Sequence, residues 1–264
     1  MKHSLHIVRS CAINWHEKMC IGCFFVHLQR KEITVMKKSG ITGYFSGREL
    51  ALFGGSVLLI ILSFIIFDRE NYLALTASLI GAVSLIFCAK GNPIGQLLMI
   101  VFSLLYGVIS YNSRCYGEMI TYLGMTAPMA GFSLVSWLRN PYKGNRSEVK
   151  VNRLKNKEWI FIAALTAAVT LVFYFILKSI GTAYLPVSTL SVTTSFIAVY
   201  LTFRRSPLYA LAYAANDIVL IILWTLSALS DESYISVIIC FVTFLANDSY
   251  GYINWKRIEK RQQN

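Results

Sequence analysis

Two adjacent polar pairs carry the residue types that can do chemistry. Asn216 and Asp217 lie inside AYAANDIVLIILW (212–224), and Asn247 and Asp248 inside FLANDSYGYINW (244–255). Both runs are apolar enough to sit in a bilayer, where an ionised carboxylate costs roughly 2.5–3.5 kcal/mol on insertion scales. An acid kept at that depth is a functional hypothesis by default. Residues three, four and seven apart share a helix face. That spacing aligns Tyr213, Asp217, Leu220 and Trp224 on one stripe, and Phe244, Asp248, Tyr252 and Trp255 on another. Asn247, Tyr250 and Asn254 run beside the second stripe. Upstream, Thr126, Ala130, Ser133 and Trp137 line up, with Pro128 expected to bend their helix. Amides and carboxyls can hold the hydroxyl groups of a solute. Indole and phenol rings can stack on a planar ring, and a cationic ring gains further from their faces. The set suits a small, polar, partly aromatic solute. Plainer roles compete: Trp137 and Trp255 as interfacial anchors, Asn216 and Asn247 as ties between helices, and Asp217 as a structural carboxyl bonded to its neighbours.

The elements that must position these residues are membrane spans. The chain has 264 residues, 56% hydrophobic and only 14% charged, against ~25% charged for a soluble domain. Its mean hydropathy is +0.55. A span needs about 20 mostly apolar residues. Eight segments qualify: 50–67, 72–89, 94–111, 119–138, 159–177, 179–203, 206–230 and 233–255. Asp217 and Asp248 are the only formal charges inside them, and no Lys or Arg falls there. An even count puts both termini on one side. With the N-terminus inside, inner segments hold 22 basic residues and outer loops three, Arg69, Arg114 and Lys178, together with five acids that include Glu118. The net charge of +12 is therefore an orientation signal, with both termini cytoplasmic, and not a nucleic-acid footprint. The basic run 139–158 is expected to be a solvated cytoplasmic loop.

Residues 1–49 form an N-terminal cytoplasmic leader. Cys20 and Cys23 lie near His16 and His27, but they make no recognisable zinc set. MKKSG at Met36 has the form of a translation start, so residues 1–35 are set aside from the fold. All four His lie in that stretch, at 3, 6, 16 and 27. The chain has no HExxH, no GxSxG and no Walker motif. The reading is a non-enzyme without cofactor or metal.

The chain repeats itself weakly. At an offset of 118, Tyr116 falls on Tyr234, Tyr106 on Trp224 and Trp137 on Trp255. KGNP (90–93) matches RRSP (204–207) in a register shifted by four. The expected architecture is all-α and polytopic. An extra helix (50–67) precedes a three-helix bundle (72–138), a basic loop (139–158), a linker helix (159–177), a second bundle (179–255) and a cytoplasmic tail (256–264). The intervening helix makes the two repeats parallel, which places a solute site near midplane between them. The polar equipment is lopsided. At that offset Asn216 and Asp217 correspond to Leu98 and Met99, and Asn247 and Asp248 to Met129 and Ala130.

AYAANDIVLIILW, NDSYGYINWKR (247–257) and WLRNPYKGNRSEVKVNR (137–153) resemble the PnuC family of bacterial vitamin transporters, over about residues 70–257. The resemblance implies a fold similar to that of the SWEET sugar transporters, in the bacterial cytoplasmic membrane. It implies uptake of nicotinamide riboside, a precursor of NAD, by facilitated diffusion, with a cytoplasmic kinase trapping the solute. Thiamine, riboflavin and deoxynucleosides are the family's other solutes. It also implies that Asn216, Asp217, Trp224, Asn247, Asp248 and Trp255 line the path, with Trp137 as the first-repeat partner of Trp255. The stretch FSLVSW (132–137) departs from the several aromatics found there in many members. Proton coupling through Asp217 or Asp248 stays open, as does a homo-oligomer.

Overall fold

A computed structural model describes residues 44–113 and 115–264; the leader, with His16, Cys20, Cys23 and His27, lies outside them. Helix α1 (Gly47–Phe67) opens on a capping box, in which the Ser46 N–H donates to Glu49 Oε2 at 2.7 Å and the Glu49 N–H to Ser46 Oγ at 3.3 Å. Helix α2 (Tyr72–Ala89) is capped by the Asn71 side chain, which accepts from the Ala74 N–H. Helix α3 (Ile94–Asn112) and helix α4 (Tyr116–Arg139) follow. Helix α4 widens into a π-helical turn over Tyr122–Thr126, just before Pro128. A proline removes one backbone donor and its ring crowds the carbonyl four residues back, and a π turn relieves both.

After a short hairpin come α5 (Asn156–Ser179), α6 (Leu185–Phe203), α7 (Tyr209–Ala228) and α8 (Ile235–Gln263). Eight helices among the described residues are long and apolar enough to cross a membrane. Two boundaries differ from expectation. Helix α4 begins at Tyr116, so Glu118 belongs to a helix and not to a loop. Helix α8 runs past Trp255 to Gln263, because Ile258 and Gln262 have a surface to pack on.

Six helices close a ring in the order α2, α3, α4, α6, α7, α8, with α8 returning to α2. Helix α5 packs on α6 outside this ring. Outward faces carry Leu58, Ile66, Leu104, Leu171, Phe175 and Ile222 exposed. Apolar faces of this kind suit acyl chains, since a helix satisfies its backbone internally.

The basic loop is folded and not merely solvated. Strands β1 (Pro141–Tyr142) and β2 (Asn145–Val149) pair antiparallel across a turn in which Lys143 and Gly144 have φ 47° and 78°. Two consecutive positive φ values are what a tight hairpin turn requires. Val149 is buried, and its N–H donates to the Gly91 carbonyl at 3.0 Å. The Asn152 N–H donates to the Arg205 carbonyl at the same distance. Gly91 and Arg205 occupy the α2–α3 and α6–α7 turns, both in the left-handed region at φ 69° and 58°. The loop is thus pinned to two turns of matching shape. Arg153 of the loop meets Glu259 of α8 at 2.8 Å, and Arg204 in the α6–α7 turn pairs with Glu158 at the start of α5.

Candidate functional site

Inside the ring, α7 and α8 turn their acids toward each other. The carboxyl groups of Asp217 and Asp248 lie within side-chain hydrogen-bonding reach of one another. Both are buried, and Asp217 Oδ2 has no partner among the described residues. Two turns along α7, Trp224 is fully buried with its Nε1 equally unpartnered. Tyr106 of α3 meets it edge-on with ring centroids 6.2 Å apart, and Tyr234 lies at 5.2 Å. Tyr106 also packs against Tyr122 of α4 at 4.4 Å, and its hydroxyl has no partner. Tyr213 lies beside both acids and Thr202.

A third acid joins this set. Glu118 on α4 is 2% exposed. One carboxyl oxygen accepts from the Ser191 hydroxyl at 3.0 Å, while Oε2 has no partner among the described residues. A buried polar atom left unsatisfied costs about 1–3 kcal/mol. Four of them, on Tyr106, Glu118, Asp217 and Trp224, surround one aromatic cluster. A polar molecule seated there would satisfy them. Sequence reasoning missed Glu118 because it falls one residue before a predicted span. The signal for Tyr106 was present, since the repeat offset places it on Trp224, and the two rings touch.

The asparagines of the two pairs point elsewhere. Asn216 Oδ1 accepts from Thr194 Oγ1 at 2.8 Å and Ser195 Oγ at 2.9 Å, both on α6. Asn247 Nδ2 donates to Ser56 Oγ of α1 at 2.8 Å and to the Thr243 carbonyl. Each ties helices together. Asn254 Nδ2 donates to the Ala89 carbonyl at 2.8 Å.

Trp137 and Trp255 form a separate layer between the acids and the hairpin. Their rings lie 5.4 Å apart, Tyr209 stands 5.0 Å from Trp255, and both indoles are fully buried. Val149 of the hairpin belongs to the same cluster. Tyr252 is half-buried beside it, with the Lys256 ammonium 6.0 Å from its ring. A groove of about 700 Å³ between α5 and α6, by contrast, is lined by no charged residue. Among the described residues no cluster of His, Cys, Asp and Glu could hold a metal ion.

The chain is similar to known proteins along most of this architecture. The family model described as nicotinamide mononucleotide transporter matches residues 71–257. A nicotinamide riboside transporter PnuC from Neisseria mucosa is 28% identical over 201 residues, covering 74% of this chain and 76% of the relative. A namesake from Haemophilus influenzae is 23% identical over 193 residues, covering 73% and 82%. The crystal structure of a vitamin B3 transporter PnuC superposes with a TM-score of 0.76 at 24% identity, covering 86% of this chain and 98% of that one. At that identity the likeness is one of fold.

Proposed function

We infer that this chain, which belongs to the nicotinamide mononucleotide transporter family, takes up nicotinamide riboside or a closely similar nucleoside across the bacterial cytoplasmic membrane. The observation that carries the reading is the Asp217–Asp248 pair beside Trp224 in the interior of the helix ring, with unpartnered polar atoms around one aromatic cluster. Carboxyls and amphipathic rings suit ribose hydroxyls and a pyridinium ring. The family description speaks of a mononucleotide and the curated relatives of a riboside. Charge favours the riboside. The predicted spans contain no Lys or Arg, and Glu118, Asp217 and Asp248 have no basic partner among the described residues. A phosphate dianion would find three carboxyls and no cation.

The architecture proposed is two parallel three-helix repeats, α2–α4 and α6–α8, joined by α5 and preceded by α1, as in the SWEET fold. Matched hydrogen bonds support it. Trp137 donates to the Thr202 carbonyl and Trp255 to the Cys88 carbonyl, while Ser136 and Asn254, one residue before each Trp, bond Phe203 and Ala89. The donors are related by the offset of 118 and the acceptors by 114, the register shift expected of the turns. The 22-to-3 distribution of basic residues favours cytoplasmic termini. The hairpin and the Trp137–Trp255 layer then face the cytoplasm. Transport is facilitated diffusion, and phosphorylation by a cytoplasmic kinase retains the solute. Two buried carboxyls side by side, Asp217 and Asp248, favour one second reading, proton-coupled uptake.

Calorimetry on the purified protein with nicotinamide riboside, thiamine, riboflavin and deoxyadenosine tests the assignment. Micromolar binding of nicotinamide riboside alone is expected, and binding of none withdraws it. Flux into proteoliposomes separates the mechanisms. Uniport persists when the proton gradient is dissipated, and coupled uptake collapses.

A further inference from the structure

We propose that Glu118 selects for positive charge on the transported solute, a role that rests on the nucleoside-uptake reading above. Its position in the fold is defined. Gly117, next to it, packs so closely that an added Cβ would lie 2.9 Å from Thr182 and 3.0 Å from Leu177, which holds the start of α4 against the α5–α6 connection. Ser191 of α6, the neighbouring helix in the ring, engages one carboxyl oxygen. The other oxygen is buried and free, within electrostatic reach of Tyr106 and Tyr122. The unpartnered Tyr106 hydroxyl and Trp224 indole N–H belong to the same aromatic cluster. The site therefore offers a carboxyl, a hydroxyl, an indole donor and aromatic faces. A buried carboxylate without a counter-charge is costly, and a cationic ring stacked on these faces supplies that charge.

A purely structural Glu118 makes a different forecast. Its bond to Ser191 needs only an acceptor oxygen, which glutamine also has. Glu118→Gln keeps the shape and that bond, and removes the charge. The probes are nicotinamide riboside, whose ring is a pyridinium cation, and its reduced dihydro form, which is neutral and keeps the ribose and carboxamide. Calorimetry on the full chain in detergent should show wild-type protein preferring the cation. Glu118→Gln should lower affinity for the cation roughly tenfold, the scale of one charge-assisted contact, and leave the neutral form within about twofold. Equal loss for both solutes, or no change, overturns the proposal and leaves the uptake reading standing. Wild-type protein that binds neither solute overturns both. Ser191→Ala, which frees the carboxyl without removing it, should keep the preference for the cation. If Glu118→Gln does not yield monodisperse protein, wild-type protein that binds the cation and the neutral form equally well overturns the proposal.

Discussion

Trp137 and Trp255 pack with ring centroids 5.4 Å apart, and each donates its indole N–H to the last turn of a helix distant in sequence. Trp137, on α4, bonds the Thr202 carbonyl of α6 at 2.9 Å, and Trp255, on α8, bonds the Cys88 carbonyl of α2 at 2.8 Å. The two contacts that close the helix ring are thus latched by the same device used twice.

Breaking a latch should cost stability in proportion to what is removed. Trp255→Phe keeps a ring and loses one hydrogen bond, worth about 0.5–1.5 kcal/mol. Trp255→Ala also leaves a cavity and should cost about 3–5 kcal/mol. The Trp137 variants should match them. Because the rings touch, the double variant should depart from additivity in denaturant unfolding.

The carboxyl at the centre should matter for affinity and little for folding. Asp217→Asn preserves shape while removing a charged acceptor, and should weaken nicotinamide riboside binding by roughly 10- to 100-fold. Trp224→Ala should weaken it further, since the stacking surface goes as well. Calorimetry on monodisperse protein checks both, and wild-type affinity in the two variants would sink the site assignment.

Its neighbour should behave the other way. Asn216 accepts two hydroxyls from α6. Asn216→Ala should lower stability by about 1–3 kcal/mol through the bonds left unmade, with affinity for the solute nearly retained. Measuring a melting curve and an isotherm on the same preparation separates the two effects.

The turn beneath Trp255 should not accept a side chain. Gly91 has φ 69°, and a Cβ there would meet Val149 Cγ1 at 3.4 Å. Gly91→Ala should cost about 1–2 kcal/mol from the left-handed backbone alone. Limited proteolysis should then cut the 141–155 loop faster, because Val149 anchors it to that turn.

At the opposite end, Asp68 gives a pH signature. Burial holds its carboxyl above the ordinary value, and bonds with Asn71 and Ser236 oppose this only in part. The folded protein therefore keeps the proton to higher pH than the unfolded chain, and stability falls as pH rises through the folded-state value. Asp68→Asn has no charge to bury. It should melt above wild type near about pH 7 and together with it near about pH 3, where both side chains are neutral.

The number of spans, their approximate limits and the depth of Asp217 and Asp248 were legible in the sequence. Each span closes its own backbone hydrogen bonds, so local composition alone decides whether it can enter lipid. The buried stripe Thr126, Ala130, Ser133 and Trp137 was legible too, since helical spacing is local. Direction within a pair was not. Asn216 and Asp217 are one residue and about 100° apart on a helix. Which of them met hydroxyls on α6 and which met Asp248 depended on helices distant in sequence. The same holds for Glu118, whose burial follows from α6 packing over the start of α4, and for the loop, whose order comes from two turns 114 residues apart. Hydropathy set what could lie in the membrane, while lateral contacts between distant helices decided which polar atoms were satisfied and which were not.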